Sequence, residues 1–196
     1  MHGEERPRGD GARLSRLHRH GRLCLRFVGD VYRAHNPRWS FAPLSGEGAQ
    51  IYGARFNRPG TPALYLAGSI EGAVREVSQG FAHKIEPCVI CTYEIDCDDI
   101  VDLRDEAGQS AEAVSAADLA CDWMFASRSG ATPPTWILAD RLINRDAAGL
   151  LAPSFARGAR AQDWNLILWR WSARRPHRCR VFDPSGRLPK DQASWR

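Results

Sequence analysis

Apolar positions in this sequence recur in short runs separated by polar turns, a pattern typical of strands. The clearest run alternates apolar with other residues from Val89 to Ile95, as a half-buried strand does. A second run, Ala63 to Ala67, follows a turn containing Pro59 and Gly60, and its composition favours a short strand. Further strand patterns are found at 23–28 with 31–33, 100–103 after an acidic turn at 96–99, 150–154, 164–171 and 180–182.

A helical period begins just after the second run. Ser69 is a suitable N-cap, and apolar residues then recur at intervals of four, three and four, which predicts an apolar stripe facing the core. The stripe consists of Ile70, Val74, Val77 and Phe81. Glu76 lies about 100° around the helix from Val77, at the boundary where a carboxylate can face a cleft.

Two more helices are predicted from their first residues. Ser115 with Asp118 three positions later forms a variant of the capping box and predicts a helix over 115–127. Pro133 and Pro134 suit a first helical turn and predict a helix running towards Gly149.

Strands and helices are therefore interspersed without a regular βα repeat. This favours a single α+β domain with a mixed or mainly antiparallel central sheet and flanking helices. Residues 1–22 are polar, basic and glycine-rich without a sustained period, so we expect a basic disordered arm, followed by the folded domain at 23–196.

Charge and composition narrow the class of protein. The formal net charge is +4, and the basic residues concentrate at 6–26 and 170–180, segments that suit a polyanionic ligand or a solvated tail. No apolar run approaches the roughly 20 residues that cross a bilayer, and residues 1–22 contain no apolar signal core. A cytoplasmic protein without membrane association is expected.

The six cysteines do not form a metal-binding pattern. Cys88 and Cys91 have CxxC spacing, but an odd separation on a strand directs the two thiols to opposite faces. No second CxxC or HxxxH pair completes a tetrahedral site, so reduced thiols and no metal are expected.

Common nucleotide-binding and hydrolase motifs are also missing. The sequence contains neither GxxxxGK[ST] nor a GxGxxG between a strand and a helix, and neither HExxH nor GxSxG.

Several spaced segments instead resemble the RES domain family, in order and from about residue 23 to residue 188. The first half matches in Gly46-Glu-Gly-Ala, in Tyr52-Gly-Ala-Arg55-Phe-Asn57-Arg-Pro-Gly60, in Ala63-Leu-Tyr65-Leu-Ala67 and in Glu76-Val77. The second half matches in Trp136 with Ala139-Asp140, in Gly149-Leu-Leu-Ala-Pro153-Ser154, in Asn165-Leu-Ile-Leu and in Asp183-Pro-Ser-Gly-Arg-Leu188.

This resemblance implies a toxin of a toxin and antitoxin pair with a fold similar to the ADP-ribosyltransferases. It implies NAD⁺ as substrate, cleaved at the nicotinamide bond, and an Xre-like antitoxin that covers the active site. Nucleic acid would then be bound only through the antitoxin.

Four residues are the expected catalytic group. Arg55 would form a bidentate contact with the pyrophosphate, and Tyr65 would stack on the nicotinamide while its hydroxyl holds a polar partner. Glu76 would hydrogen-bond the ribose and stabilise the positive charge that develops at the anomeric carbon. Ser154 would orient Glu76 or contact substrate.

Arg33 and Asn165 are the weaker candidates for binding NAD⁺, at the phosphate and at the nicotinamide side. Ordinary structural roles compete with these assignments: a surface ion pair for Arg55, a core position for Tyr65, and pairing of Glu76 with Arg75 or Lys84.

The reaction class stays open at this point. Transferases that modify arginine carry two glutamates spaced ExE, whereas Val74 stands two positions before Glu76. Hydrolysis or phosphorolysis of NAD⁺ is therefore at least as well supported as ADP-ribosylation of a cellular protein. A module that binds nucleic acid or a partner through its basic residues is the non-enzymatic alternative; it predicts salt-sensitive binding that is lost when residues 1–22 are deleted.

Overall fold

The computed structural model describes residues 12–19, 22–78 and 85–195. The strands are β1 (Arg13–Arg19), β2 (Arg22–His35), β3 (Leu64–Ala67), β4 (Val89–Asp102), β5 (Gly149–Pro153), β6 (Trp164–Leu168) and β7 (His177–Val181). The helices are α1 (Glu47–Tyr52), α2 (Ile70–Ser78), α3 (Glu106–Ala111), α4 (Ala116–Leu119), α5 (Trp123–Arg128) and α6 (Pro134–Asn144). Short 3₁₀ turns span Pro37–Trp39 and Gln192–Trp195.

The strands form one mixed sheet that closes into a barrel. Its order is β1-β2-β3-β6-β5-β4-β7, and a further pairing of β2 with β4 completes the ring β2-β3-β6-β5-β4. Among the described strands only β4 and β5 run parallel, while the other pairs are antiparallel. β1 and β7 flank the ring. The single α+β domain expected from the sequence is thus found, with its sheet closed.

Two apolar clusters lie on the two sides of the barrel wall. The first receives buried side chains from every strand of the ring and fills the interior, with Tyr93 and Phe27 among its largest members. The second lies outside, where α4 and α6 cover β5 and β6, and includes Leu119, Leu142 and Ile167. Successive strand residues point to opposite faces, so β3 and β6 contribute to both clusters.

Three local predictions are confirmed. β3 coincides with the predicted strand at 63–67, and α6 begins at Pro134 as its proline pair indicated. Ser115 and Asp118 form a reciprocal capping box at the start of α4. The helix predicted over 115–127 is, however, divided into α4 and α5, and Asp122 caps the second helix.

The predicted apolar stripe of α2 is wrong. Ile70 and Val77 are 49% and 46% exposed, and the helix rests instead on Gly72 and Ala73. Small residues let the helix approach β2 and β3 closely, which leaves the larger side chains outside the contact. Phe81 lies outside the described residues.

The acidic segment predicted as a turn is part of a continuous strand, β4. Asp96 and Asp98 are buried there, and each carboxylate is paired with an arginine. The guanidinium of Arg26 binds Asp96 at 2.7 Å, and that of Arg175 binds Asp98 at 3.0 Å. The Arg26 hydrogen bond is the main reason that the pKa of Asp96 lies below its usual value.

Part of the expected arm is also ordered. Residues 13–19 form β1, which pairs along its whole length with residues 22–28 of β2. The strand was missed because it gains its stability from backbone pairing with a neighbour rather than from an apolar face of its own. Residues 1–11 of the arm lie outside the described residues.

The cysteines are free thiols, and Cys91, Cys97 and Cys179 are buried. In the described part of the chain, no three His, Cys, Asp or Glu side chains are grouped as metal ligands would be. No helix within those same ranges is both long enough and apolar enough to span a bilayer.

Candidate active site

Arg55 projects from a tight turn between α1 and β3. The backbones of Ala54 and Asn57 bond to each other in both directions at 3.0 and 3.3 Å. Gly53 enters the turn at a φ of +69°, and a Cβ there would lie 2.8 Å from Cδ of Pro59, so the position requires glycine. The sequence therefore forms a fixed support for Arg55.

Asn57 and Tyr65 hold this turn from inside. The Asn57 side-chain amide is buried and donates to the carbonyls of Ala49, Arg58 and Thr61 at 2.8, 3.1 and 2.9 Å. The Tyr65 hydroxyl donates to Asn57 Oδ1 at 2.8 Å and accepts from the backbone N–H of Phe56 at 2.9 Å. The phenol therefore braces the Arg55 turn.

Two indole groups complete that support. The Nε1–H of Trp136 donates to the carbonyl of Ala54 at 2.8 Å, and that of Trp169 donates to the carbonyl of Phe56 at 2.8 Å. The carbonyl of Phe56 is thereby bonded to the second apolar cluster, which contains Trp169, and the carbonyl of Ala54 is bonded to α6, which carries Trp136.

The Arg55 guanidinium is half-buried and held on two sides. Nη1 donates to the carbonyls of Leu119 and Cys121 at 2.9 and 2.7 Å. Cζ lies 4.5 Å from the ring centroid of Phe155, a cation–π distance. A guanidinium has five N–H donors. Among the described residues only Nη1 of Arg55 has hydrogen-bond partners. The edge formed by Nε and Nη2 can therefore bind an anion with two parallel hydrogen bonds.

Burial is the main influence on the pKa of the Arg55 guanidinium and lowers it. Cys121, Glu76 and Tyr65 raise the pKa in the opposite direction. An arginine remains cationic at neutral pH under such conditions.

Glu76 lies on the exposed side of α2, and two neutral donors orient its carboxylate. Ser154 Oγ donates to Glu76 Oε1 at 2.7 Å, and Asn165 Nδ2 donates to the same oxygen at 2.6 Å. Within the described residues Oε2 has no protein partner. The carboxylate is thus fixed through one oxygen while the other is available to a ligand.

A buried carboxylate fixes the helix that carries Glu76. Asp163 accepts from Arg75 Nη1 at 2.7 Å and from Arg160 Nη2 at 2.9 Å, and its own carbonyl accepts from the backbone N–H of Ser154 at 2.8 Å. The Arg160 hydrogen bond is the largest cause of the lowered pKa of Asp163. Arg75 therefore pairs with Asp163 and not with Glu76.

These contacts bring five of the six predicted residues together. Ser154 and Phe155 are adjacent in the chain, so the residue that binds Glu76 is followed by the residue beneath Arg55. Tyr65 joins the group through the Arg55 turn, and Asn165 joins it through Glu76.

Arg33 lies elsewhere. Its Nη1 donates to the carbonyl of Ser45 at 3.2 Å, and on β2 it shares a face with Val31, two residues earlier, whose side chain lies in the barrel interior. There it influences the pKa values of His35 and Tyr93, and within the described ranges no hydrogen bond or ion pair joins it to the group around Glu76. Its role at a phosphate stays a prediction.

Sequence reasoning missed the supporting residues. Asn57 carries a signal, since an asparagine just before the turn at Pro59 and Gly60 is typical of a side chain that hydrogen-bonds the backbone of the turn. Asp163 and Phe155 carried none, because their contacts with α2 and with Arg55 span 88 and 100 positions and arise only from the fold.

The fold and this site together define a single α+β domain in which the Glu76 carboxylate and the Arg55 guanidinium contact two successive residues, Ser154 and Phe155. The RES domain model matches residues 30–191, and the chain belongs to the RES domain family. Comparison with curated proteins gave no match.

Proposed function

We propose that this protein is the toxin of a toxin and antitoxin pair and that it depletes NAD⁺ by cleaving the bond between nicotinamide and ribose. The observation that carries the proposal is the Glu76 carboxylate, which Ser154 and Asn165 fix through Oε1 and which Ser154 links to Phe155, the residue against the Arg55 guanidinium. Membership of the RES family supports it. The proposal includes an ADP-ribosyltransferase-like fold for the domain.

The chemistry assigns a role to each group. As the C–N bond breaks, its electron pair moves to the ring nitrogen of nicotinamide and positive charge develops at the anomeric carbon. Glu76 Oε2 accepts a hydrogen bond from a ribose hydroxyl and stabilises that charge. The Nε and Nη2 edge of Arg55 binds a phosphate of the substrate.

Tyr65 takes a narrower role than the sequence suggested. Its hydroxyl is already engaged by Asn57 and Phe56, and burial raises the pKa of the phenol, which keeps it neutral. The ring remains the proposed surface for nicotinamide, while the hydroxyl serves the Arg55 turn.

Water or phosphate is the proposed acceptor. Attack by water on the anomeric carbon gives ADP-ribose, nicotinamide and one proton. Attack by phosphate at the same carbon gives nicotinamide and ADP-ribose that carries a phosphate on the anomeric carbon. Val74 occupies the place of a second glutamate on α2, and Asp163, whose backbone carbonyl accepts from Ser154, is already paired with two arginines. These features favour a small acceptor over a protein.

The test is incubation of purified protein with NAD⁺, with and without inorganic phosphate, followed by separation of the products. Hydrolysis gives nicotinamide and ADP-ribose in both reactions, whereas phosphorolysis gives nicotinamide and a phosphorylated product only when phosphate is present. Label from NAD⁺ on a protein would favour a transferase, and intact NAD⁺ under all conditions would refute the proposal.

An Xre-like antitoxin is the proposed partner. The exposed Ile70 and Val77 of α2 lie on the helix that carries Glu76, so a protein covering them would also cover the site. Nicotinamide release that falls with added antitoxin at one-to-one stoichiometry would support this, and unchanged release in a stable complex would contradict it.

A further inference from the structure

The segment after β5 connects the two charged groups of the site. Ser154 binds the carboxylate of Glu76 at 2.7 Å, and the next residue, Phe155, lies beneath the guanidinium of Arg55. The two residues leave the end of one strand in succession. A displacement of this segment would therefore change both contacts at once.

The Phe155 ring lies against the guanidinium of Arg55. The carbonyls of Leu119 and Cys121 hold only one nitrogen of Arg55, Nη1, so rotation about that anchor remains possible on these bonds alone. A ring centroid 4.5 Å from Cζ adds a flat surface that restricts this rotation. The ring is itself backed by Phe56, with centroids 6.4 Å apart.

We propose that Phe155 is a positioning residue that orients the guanidinium of Arg55 towards a phosphate and sets its spacing from Glu76. This inference rests on the proposed function for the identity of the substrate. It also extends that function, because it assigns phosphate affinity to an aromatic residue that carries no charge. Phe155 acts through Arg55 and does not touch the reacting bond.

The test compares Phe155→Leu with Phe155→Tyr. Leucine keeps much of the volume but lacks the ring, whereas tyrosine keeps the ring. We expect Phe155→Leu to raise the KM for NAD⁺ and the Kd for ADP-ribose by about threefold to thirtyfold with little change in kcat. Phe155→Tyr should restore both constants. Phe182→Leu, the same change at an exposed position after β7, is the matched control and should leave both unchanged.

A double-mutant cycle separates positioning from a merely structural role. In an Arg55→Gln background, Phe155→Leu should not weaken ADP-ribose binding further, because no guanidinium remains to be oriented. An equal penalty in both backgrounds would overturn the inference. So would Phe155→Leu with wild-type KM and Kd, or a loss confined to kcat. Thermal unfolding of each variant identifies any that fail to fold. If Phe155→Leu is one of them, Phe155→Tyr decides: wild-type KM and Kd support the inference, and a rise in both contradicts it.

Failure of the inference is distinguishable from failure of the proposed function. ADP-ribose binding, measured by calorimetry, requires no bond cleavage. If wild-type protein binds ADP-ribose but leaves NAD⁺ intact, the proposed reaction is refuted while the role of Phe155 is still measured. If wild-type protein binds no ADP-ribose, the inference is overturned as well.

Discussion

Replacing Glu76 with glutamine tests the charge of the site with little change in shape. The two donors, Ser154 Oγ and Asn165 Nδ2, both address Oε1. Glutamine can present its carbonyl oxygen at that position and keep both bonds. Its amide nitrogen then occupies the place of Oε2, so the atom facing the substrate changes from a charged acceptor to a neutral donor.

The expected magnitudes follow from this geometry. Hydrogen bonds to a charged acceptor exceed those to a neutral one by about 1 kcal/mol, and because Glu76 is exposed we expect a smaller loss of folding stability. Loss of one preorganised electrostatic contact in a transition state typically costs about 10²- to 10³-fold in kcat. Turnover should therefore fall far more than stability.

The assay measures nicotinamide release by chromatography. The free energy of unfolding of each variant is measured in parallel in urea. Glu71→Gln is the matched control, since Glu71 is another exposed carboxylate on α2. Its turnover should match that of wild type. The reasoning would be refuted by a folded Glu76→Gln protein with wild-type turnover, or by an equal loss in Glu71→Gln.

Three further outcomes are expected. Arg55→Gln should raise the KM for NAD⁺ with folding retained, and saturation kinetics equal to wild type would exclude Arg55 from substrate binding. Asn57→Ala should lower the free energy of unfolding in urea by about 3 kcal/mol, because it leaves buried carbonyls without donors, and an unchanged midpoint would contradict this. Burial lowers the pKa of His35 to about 4. Its stabilisation is therefore complete above the unfolded value of about 6.5 and is lost as the pH falls towards 4, by about 3 kcal/mol in all. A stability profile of His35→Gln with the same slope over this range would be evidence against it.

The predictable parts of the fold are those whose signals are local. The capping box at Ser115 and the proline start of α6 depend on neighbouring residues, and both were located correctly. The burial of α2 was wrong because the period of its large residues was given more weight than Gly72 and Ala73, which allow close packing. β1 depends on a partner strand, and no pattern within residues 13–19 indicates one.

The candidate site divides in the same way. Arg55, Tyr65 and Glu76 lie in segments that resemble the RES family, so these three residues can be predicted as site residues without any knowledge of the distances between them. The contacts that bring them together are not visible in the sequence: Asp163 binds Arg75 of α2 from the chain before β6, and Phe155, next to Ser154, lies against Arg55. Such contacts join residues far apart in sequence, and a single sequence carries no record of them.

Neighbouring strands of the barrel share very different numbers of register pairs. β2 and β4 share ten register pairs, whereas β2 and β3 meet at one, Tyr32 with Ala67. Local opening will therefore begin along the β2–β3 seam, where the fewest backbone bonds must break. Since Tyr65 lies on β3 and Glu76 on the helix that follows it, the wall is weakest beside the residues proposed to hold the nucleotide.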